Sequence, residues 1–475
     1  MQNKLYLDQR SNAFIILNLL MLWGWWMLYQ LYALPVHYAK PYFALDKIPL
    51  YLEWSHLWFT TWLFVLLCIC YLCTCLLLPH LQVAQVSVRW TLILSILGAG
   101  ILNVMIYPVG AVDLFYYLTQ IKLFAYYGEN PYLTTFWPTY AHDELTPLSS
   151  FLSWPLVYGP AWLGLASLPI KFVGFDDLLT MLLAYKLFSL YCLLGCAWLI
   201  FKLLGGGAPG WYGAYVFAAN PLVLFEAVAN AHNDILLTLI LLVALLGLRH
   251  RHILALPAFA LAALVKVFIL PLALGFAVAL WRTRWPFRRI VGGSLCSLLI
   301  VFLLVAPFWG DGSIIERMQA AVEQQQTLRT AAPISLANEY AQTSGASAQQ
   351  LEQLRIVFTA SYGCLVLLAL FFVRPLEHAM ASIMLLLFLL VSSLFPWYLI
   401  PVFALLALHP RRLELGYMVV ASLTGLLYYP LGVVAWQTEG LTLFQIQLVG
   451  ATLLALPIVV FLVALLFQRR VELDQ

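Results

Sequence analysis

Residues 231–252 read AHNDILLTLILLVALLGLRHRH: a polar trio, an unbroken apolar body, and a terminal run of arginines and histidines. An apolar helix with basic residues at one end is the pattern of a membrane crossing, and the arginine-rich end is expected on the cytoplasmic side. His232, Asn233 and Asp234 then lie one crossing away, at the outer end.

The rest of the chain has the same character. Of 475 residues, 64% are hydrophobic and 9% are charged, a balance no soluble domain carries. Each crossing uses about 20 apolar residues, so the expectation is an all-α polytopic membrane protein with about 12–14 transmembrane helices, residues 1–475 forming a single integral domain. The net charge of +3 is confined to short clusters at span ends, which gives no reason to invoke nucleic acid. Cys68, Cys70, Cys73 and Cys75 sit inside an apolar run and match no common zinc spacing, so they read as packing residues.

Basic clusters also occur at Arg282–Arg289, His409–Arg412 and Arg469–Arg470. With Lys4 and Arg10 before the first apolar run, they predict cytoplasmic N- and C-termini in an inner-membrane protein. Three spans, near 13–34, 56–78 and 89–108, then bring the chain to the outer face just before Asp113. Counting back from the C-terminus gives spans near 445–467, 415–431, 397–409, 378–395, 354–373 and 290–308. This makes 109–160 and 309–353 extracytoplasmic loops and puts Phe395–Tyr398 on the same face.

Between 160 and 234 three apolar runs join two points on one face, so one run does not cross. The run at 208–229 is the candidate, broken at Asn220-Pro221, because proline interrupts helices and irregular backbone at membrane depth lines cavities. The run 253–281 lies between two basic clusters and is expected to turn back near Lys266 and Pro271.

Polar side chains in such a chain ask for an explanation. Asp113 opens the aromatic stretch DLFYYLTQIKLFAYY, which reads as an interfacial helix ending at Gly128 and Pro131. Its carboxylate suits either an N-cap or a general base with a raised pKa. Asn233 or Asp234 suits a cap as well, although the polar group around Glu226 and Asn230 exceeds what one cap requires. Lys266 suits an anionic lipid headgroup; Lys186, also mid-span, has no supporting motif.

Taken together, VDLFYYLTQIKLFAYYGENPYLTTF, WPLVYGPAWL, NPLVLFEAVANAHNDILL, LAALVKVFILPLAL and SLFPWYLIP, in this order, resemble the polyprenyl-phosphate-mannose-dependent alpha-1,6-mannosyltransferases of the actinobacterial cell envelope, membrane enzymes of the GT-C fold. The resemblance implies Asp113 as the base on the acceptor hydroxyl. It implies substrate contacts from Tyr117, Asn130, Tyr132, Tyr158, His232, Asn233, Asp234, Lys266, Trp397 and Tyr398. Ile121 departs from the pattern, standing where that family has a glycine.

The expected reaction moves a hexose, mannose foremost, from a polyprenyl-phosphate donor to a glycolipid or glycan acceptor at the extracytoplasmic face. Lys266, with a loop arginine such as Arg329, would hold the leaving phosphate. No cofactor and no metal is expected, and the remaining partners are membrane lipids. Two other classes fit the composition: a secondary transporter or lipid flippase, and a noncatalytic subunit that docks through the glutamine-rich stretch Ala320–Thr330.

Overall fold

The computed structural model describes residues 2–39, 54–83, 85–110, 113–310, 316–317, 319–320, 331–438 and 440–473. Among them the chain is helical and has no strand. The first half contains α1 (Gln2–Leu31), α2 (Trp54–Leu77), α3 (Val86–Met105), α4 (Asp113–Ala125), α5 (Pro160–Val173), α6 (Leu178–Leu203), α7 (Gly207–Ala218), α8 (Pro221–Leu224) and a π turn (Phe225–Ala229). Then follow α9 (Asp234–Arg249), α10 (Ala255–Ala263), α11 (Leu272–Arg282), α12 (Phe287–Val305), α13 (Pro333–Thr343), α14 (Ala348–Phe372), α15 (Leu376–Phe388), α16 (Leu399–Leu406), α17 (Arg412–Gln437) and α18 (Leu443–Leu473).

Eight of these helices are long and apolar enough to cross a membrane, and α7 with α8 and the π turn makes a ninth, bent by 58°. The expected about 12–14 spans are approached only if the shorter apolar helices are counted with them. The three expected N-terminal spans are present as α1, α2 and α3.

The basic clusters gather at one end of the bundle. Arg249 donates to the Leu203 carbonyl, Arg289 to Arg251 O at 2.7 Å, and Arg282 to Leu370 O at 3.1 Å. From there α9 rises to Asp234, and α10 rises beside it to Lys266 before α11 descends. The hairpin expected near Lys266 and Pro271 is therefore formed, its turn being a single 3₁₀ turn at Val267–Ile269.

Two expected features are corrected. The run 207–229 is broken where proposed: the Asn220 side chain accepts from Leu222 and Val223 N–H, and Pro221 occupies the first helical position, so a new helix starts there. It nevertheless continues to the site end, where Asn230 meets Gly110. The run that does not cross is α5. It begins against the Lys266 turn and ends near Tyr126, whose ring lies 5.3 Å from that of Phe175. The apolar stretches 378–395 and 397–409, read as spans, are instead the short helices α15 and α16, joined by a tip that carries Phe395 and a 3₁₀ turn, Pro396–Tyr398, that carries Trp397. Their far ends are joined where His409 Nε2 lies 3.7 Å from Glu377.

Helix α4 also differs from an amphipathic surface helix. Every residue from Leu114 to Leu123 is buried, the polar Thr119, Gln120 and Lys122 included, so the helix is enclosed on all sides. Its cover is the loop that follows: Lys122 pairs with Asp143 at 2.8 Å, and Tyr127 donates to Asp143 at 2.7 Å.

The Tyr158-Gly159-Pro160 motif joins this layer to the hairpin. Gly159 N–H donates to Val265 O and Ala161 N–H to Leu264 O, each at 3.1 Å. A Cβ on Gly159 would stand 1.8 Å from the Leu264 carbonyl oxygen. Gly159→Ala is expected to destabilise the protein by roughly 1–3 kcal/mol, read as a lower Tm in detergent, since backbone rather than a flexible side chain must move.

Candidate active site

Asp113 is the first residue of α4, and its carboxylate faces the loop between the π turn and α9. His232 Nδ1 lies 3.5 Å from Asp113 Oδ2, while Nε2 lies 3.3 Å from Glu226 Oε2. The imidazole is fully buried and is stacked on Trp397 at 3.8 Å; Phe395 stacks on the other face of that indole at 4.4 Å. The Pro-Trp-Tyr segment thus serves as a clamp on the histidine.

The backbone reaches this arrangement through two departures from helical geometry. A π turn spans Phe225–Ala229, closed by Asn230 N–H on Phe225 O at 2.8 Å, and such turns recur at functional sites. Ala231 then takes φ of 57°, a region L-residues avoid, which turns the chain so that His232 enters the protein. The carbonyls of Val228 and Ala229 are taken by the buried Lys186 amino group, at 2.9 Å for Val228. Lys186 therefore holds the turn and is not free for a phosphate.

Asp234 is fully buried and binds Lys266 Nζ with both oxygens, at 3.0 and 2.9 Å. The ammonium is also ringed by Tyr398 at 4.7 Å, Phe268 at 5.1 Å and Tyr158 at 5.8 Å. Two of its three N–H donors are used by Asp234. The third remains on a side chain that keeps 12% exposure, and Asp113 keeps 19%.

Asn233 is 2% exposed, and neither its amide nitrogen nor its oxygen has a hydrogen-bond partner among the described residues. It does not cap α9. Buried amides are normally satisfied, so this one is placed to meet a group the chain does not supply.

Other expected contact residues have structural partners. Tyr117 packs its ring among Tyr158, Trp162 and Tyr185, while its buried hydroxyl has no hydrogen-bond partner among the described residues. Asn130 donates to Phe308 O at 3.0 Å and accepts from Tyr132 N–H, and Tyr132 donates to the Tyr158 carbonyl at 2.8 Å. Arg329 and residues 321–330 of the glutamine-rich stretch lie outside the described residues.

Sequence reading did not find Tyr429, which donates to Glu226 Oε1 at 2.6 Å from within an apolar span. Gly110 was also missed. Its N–H donates to Asn230 Oδ1 at 3.0 Å, which ties the strand of chain entering Asp113 to the π turn. Nothing in the local sequence flags either residue.

Burial raises the Asp113 carboxyl above the usual carboxylate range, while His232 and Lys266 pull it back. Burial pushes His232 down to about 4, against the pull of Asp113 and Asp234, so the imidazole is neutral at pH 7. A neutral imidazole between two acids, a carboxylate made more basic by burial and a partly exposed ammonium can move a proton and receive an anion. No cluster of three or more His, Cys, Asp or Glu able to hold a metal ion is found among the described residues.

A helical bundle with this polar cluster at one end defines a polytopic all-α membrane protein with an enclosed, acid-rich site. Residues 48–283 match the family model described as Alpha-(1->6)-mannopyranosyltransferase, N-terminal domain. The match supports a mannosyltransferase activity, and its range holds Asp113, the His-Asn-Asp trio and Lys266, stopping before Trp397 and Tyr429. No curated protein and no solved structure matches the chain.

Replacing Lys266 by Met leaves Asp234 buried and unpaired, an expected cost of about 3–5 kcal/mol. Thermal melting of Lys266→Met and of the double variant Asp234→Asn/Lys266→Met checks this: the second change should restore most of the lost Tm without restoring transfer.

Proposed function

We propose that the chain transfers a hexose, with mannose the first choice, from a polyprenyl-phosphate donor to an envelope glycolipid or glycan acceptor, with inversion, at the extracytoplasmic face. The observation that carries this reading is one polar cluster that holds a partly exposed carboxylate, Asp113, and a partly exposed ammonium, Lys266, near enough for the ammonium to act on that carboxylate. The basic clusters at the opposite end support a cytoplasmic location for that end and for both termini, in the inner membrane.

In the proposed step Asp113 takes the proton of an acceptor hydroxyl as its oxygen forms the new bond to the anomeric carbon. The bond from that carbon to the phosphate oxygen breaks, and its electron pair leaves with the lipid phosphate. One displacement of this kind inverts the anomeric centre. Negative charge grows on the phosphate, where a fixed cation lowers the barrier, and Lys266 is the cation within the site. Asp234 keeps that ammonium aimed, and Asn233 offers both a donor and an acceptor to the sugar hydroxyls. No step is assigned to a metal ion or cofactor.

An apolar groove of about 430 Å³ between α11 and α14, lined by Pro271, Leu274, Tyr362, Gly363, Val366 and Leu367, begins a few residues beyond Lys266. It suits the isoprenoid part of a donor that arrives sideways from the bilayer.

Two outcomes test the base. Asp113→Asn should lower kcat for transfer from a synthetic lipid-phosphate mannose by about 10²–10⁴-fold, with the donor KM little changed. Near-normal transfer would end the assignment. Because the base must be ionised and its pKa is raised, kcat/KM should fall as pH drops through a value above the ordinary carboxylate value of about 4. A pH–rate profile flat down to that value would contradict it.

A further inference from the structure

We propose that Glu226 is a protonated positioning residue behind His232: its carboxyl O–H donates to Nε2 and fixes the tautomer whose Nδ1–H faces Asp113. One Asp113 oxygen is thereby oriented, and the other is left to accept the acceptor's proton. The inference deepens the proposed function and rests on its reading of Asp113 as the base.

The surroundings of Glu226 support a neutral acid. It is fully buried in the π turn, and no lysine or arginine lies within ion-pair distance of it among the described residues. Lys266 is committed to Asp234, and Lys186 to the carbonyls of Val228 and Ala229. An ionised carboxylate enclosed without a cation is far more costly than the acid.

Its two hydrogen bonds are both accepted, and they leave the side of Oε2 that faces His232 open for the acid's proton. Glu226 Oε1 accepts from Tyr429, and Oε2 accepts from the Asn230 amide at 2.9 Å while facing His232 Nε2 at 3.3 Å. The Asn230 orientation is fixed, since its oxygen receives Gly110 N–H. With the proton on Oε2, the bare Nε2 accepts it and Nδ1–H points to Asp113 Oδ2. With Glu226 ionised, Nε2 would carry the hydrogen and the bare Nδ1 would aim its lone pair at a carboxylate. Neither imidazole nitrogen has a hydrogen bond among the described residues, and the two approaches, at 3.5 and 3.3 Å, are to tighten when substrate closes the site.

The titratable and charged groups facing this unit are Tyr429 from α17, Asp113 from α4, Asp234 and Lys266 beyond the imidazole, and Lys186 from α6 on the same turn. Ionisation of Glu226 therefore removes activity on the alkaline side.

The experiment is kcat/KM against pH for the full chain in detergent, with synthetic lipid-phosphate mannose, for wild type, Glu226→Gln, Tyr429→Phe and Asp113→Asn. A glutamine amide donates to Nε2 at every pH, although its nitrogen cannot accept from Asn230 as Oε2 does, so Glu226→Gln is expected to keep measurable transfer at neutral pH and to lose the alkaline limb. Tyr429→Phe removes a hydrogen bond that favours the ionised form, so its alkaline limb should move to higher pH. A folded Glu226→Gln that is inactive, or an alkaline limb unmoved in both variants, overturns the proposal. Activity in Asp113→Asn would instead defeat the base itself, whatever the Glu226 variants do.

Discussion

The Lys266 ammonium on the Asp234 carboxylate is the contact on which the arrangement depends. It fastens the tip of the α10–α11 hairpin to the first residue of α9, two elements that approach from the same end of the bundle and otherwise share only apolar surface. Its strength comes from enclosure, since both oxygens and two N–H donors are satisfied away from water, and so does its fragility, since either partner alone would be a buried charge. Gly159 docks on the adjacent backbone, and Tyr132 holds Tyr158, so the aromatic layer over α4 is registered to the same point. Asp113 inherits its place from that registration.

A division of labour follows among the aromatic side chains. Tyr117, Trp162 and Tyr185 fill space beneath α4, Phe395 and Trp397 clamp the imidazole, and Tyr398 with Phe268 surrounds the ammonium. Only the last group meets a charge, where ring faces add to attraction in a desolvated setting. The others exclude water, which strengthens every electrostatic contact inside the cluster.

Much of this was legible in the sequence. Hydropathy located the long helices, and the basic clusters told which loops share an end. The paired clusters flanking 253–281 required the hairpin that brings Lys266 to the site. The Asn-Pro step marked the break after α7, because capping and proline chemistry are local. What failed was depth. Parity said that one run between 160 and 234 does not cross, but it could not distinguish α5 from α7 with α8, since both are apolar and both contain or abut proline. The stretches forming α15 and α16 read as spans because hydropathy counts residues and does not see that the chain turns back at a tip. Asp113, His232, Asn233, Asp234 and Lys266 were found because charge inside an apolar chain is conspicuous. Tyr429 was not, because a tyrosine in a membrane helix has an apolar body, and only its partner across 203 residues gives its hydroxyl a purpose.

The turn at Ala231 carries a consequence for how such a molecule fails. Alanine has no liking for a left-handed backbone, so the kink that delivers the imidazole is imposed by the enclosing helices rather than by local preference. Such a bend is held under tension and relaxes when its surroundings loosen, well before the bundle comes apart. Warming or an ill-matched detergent will therefore silence the molecule while its helices remain intact, and circular dichroism alone will mistake an inert preparation for a sound one.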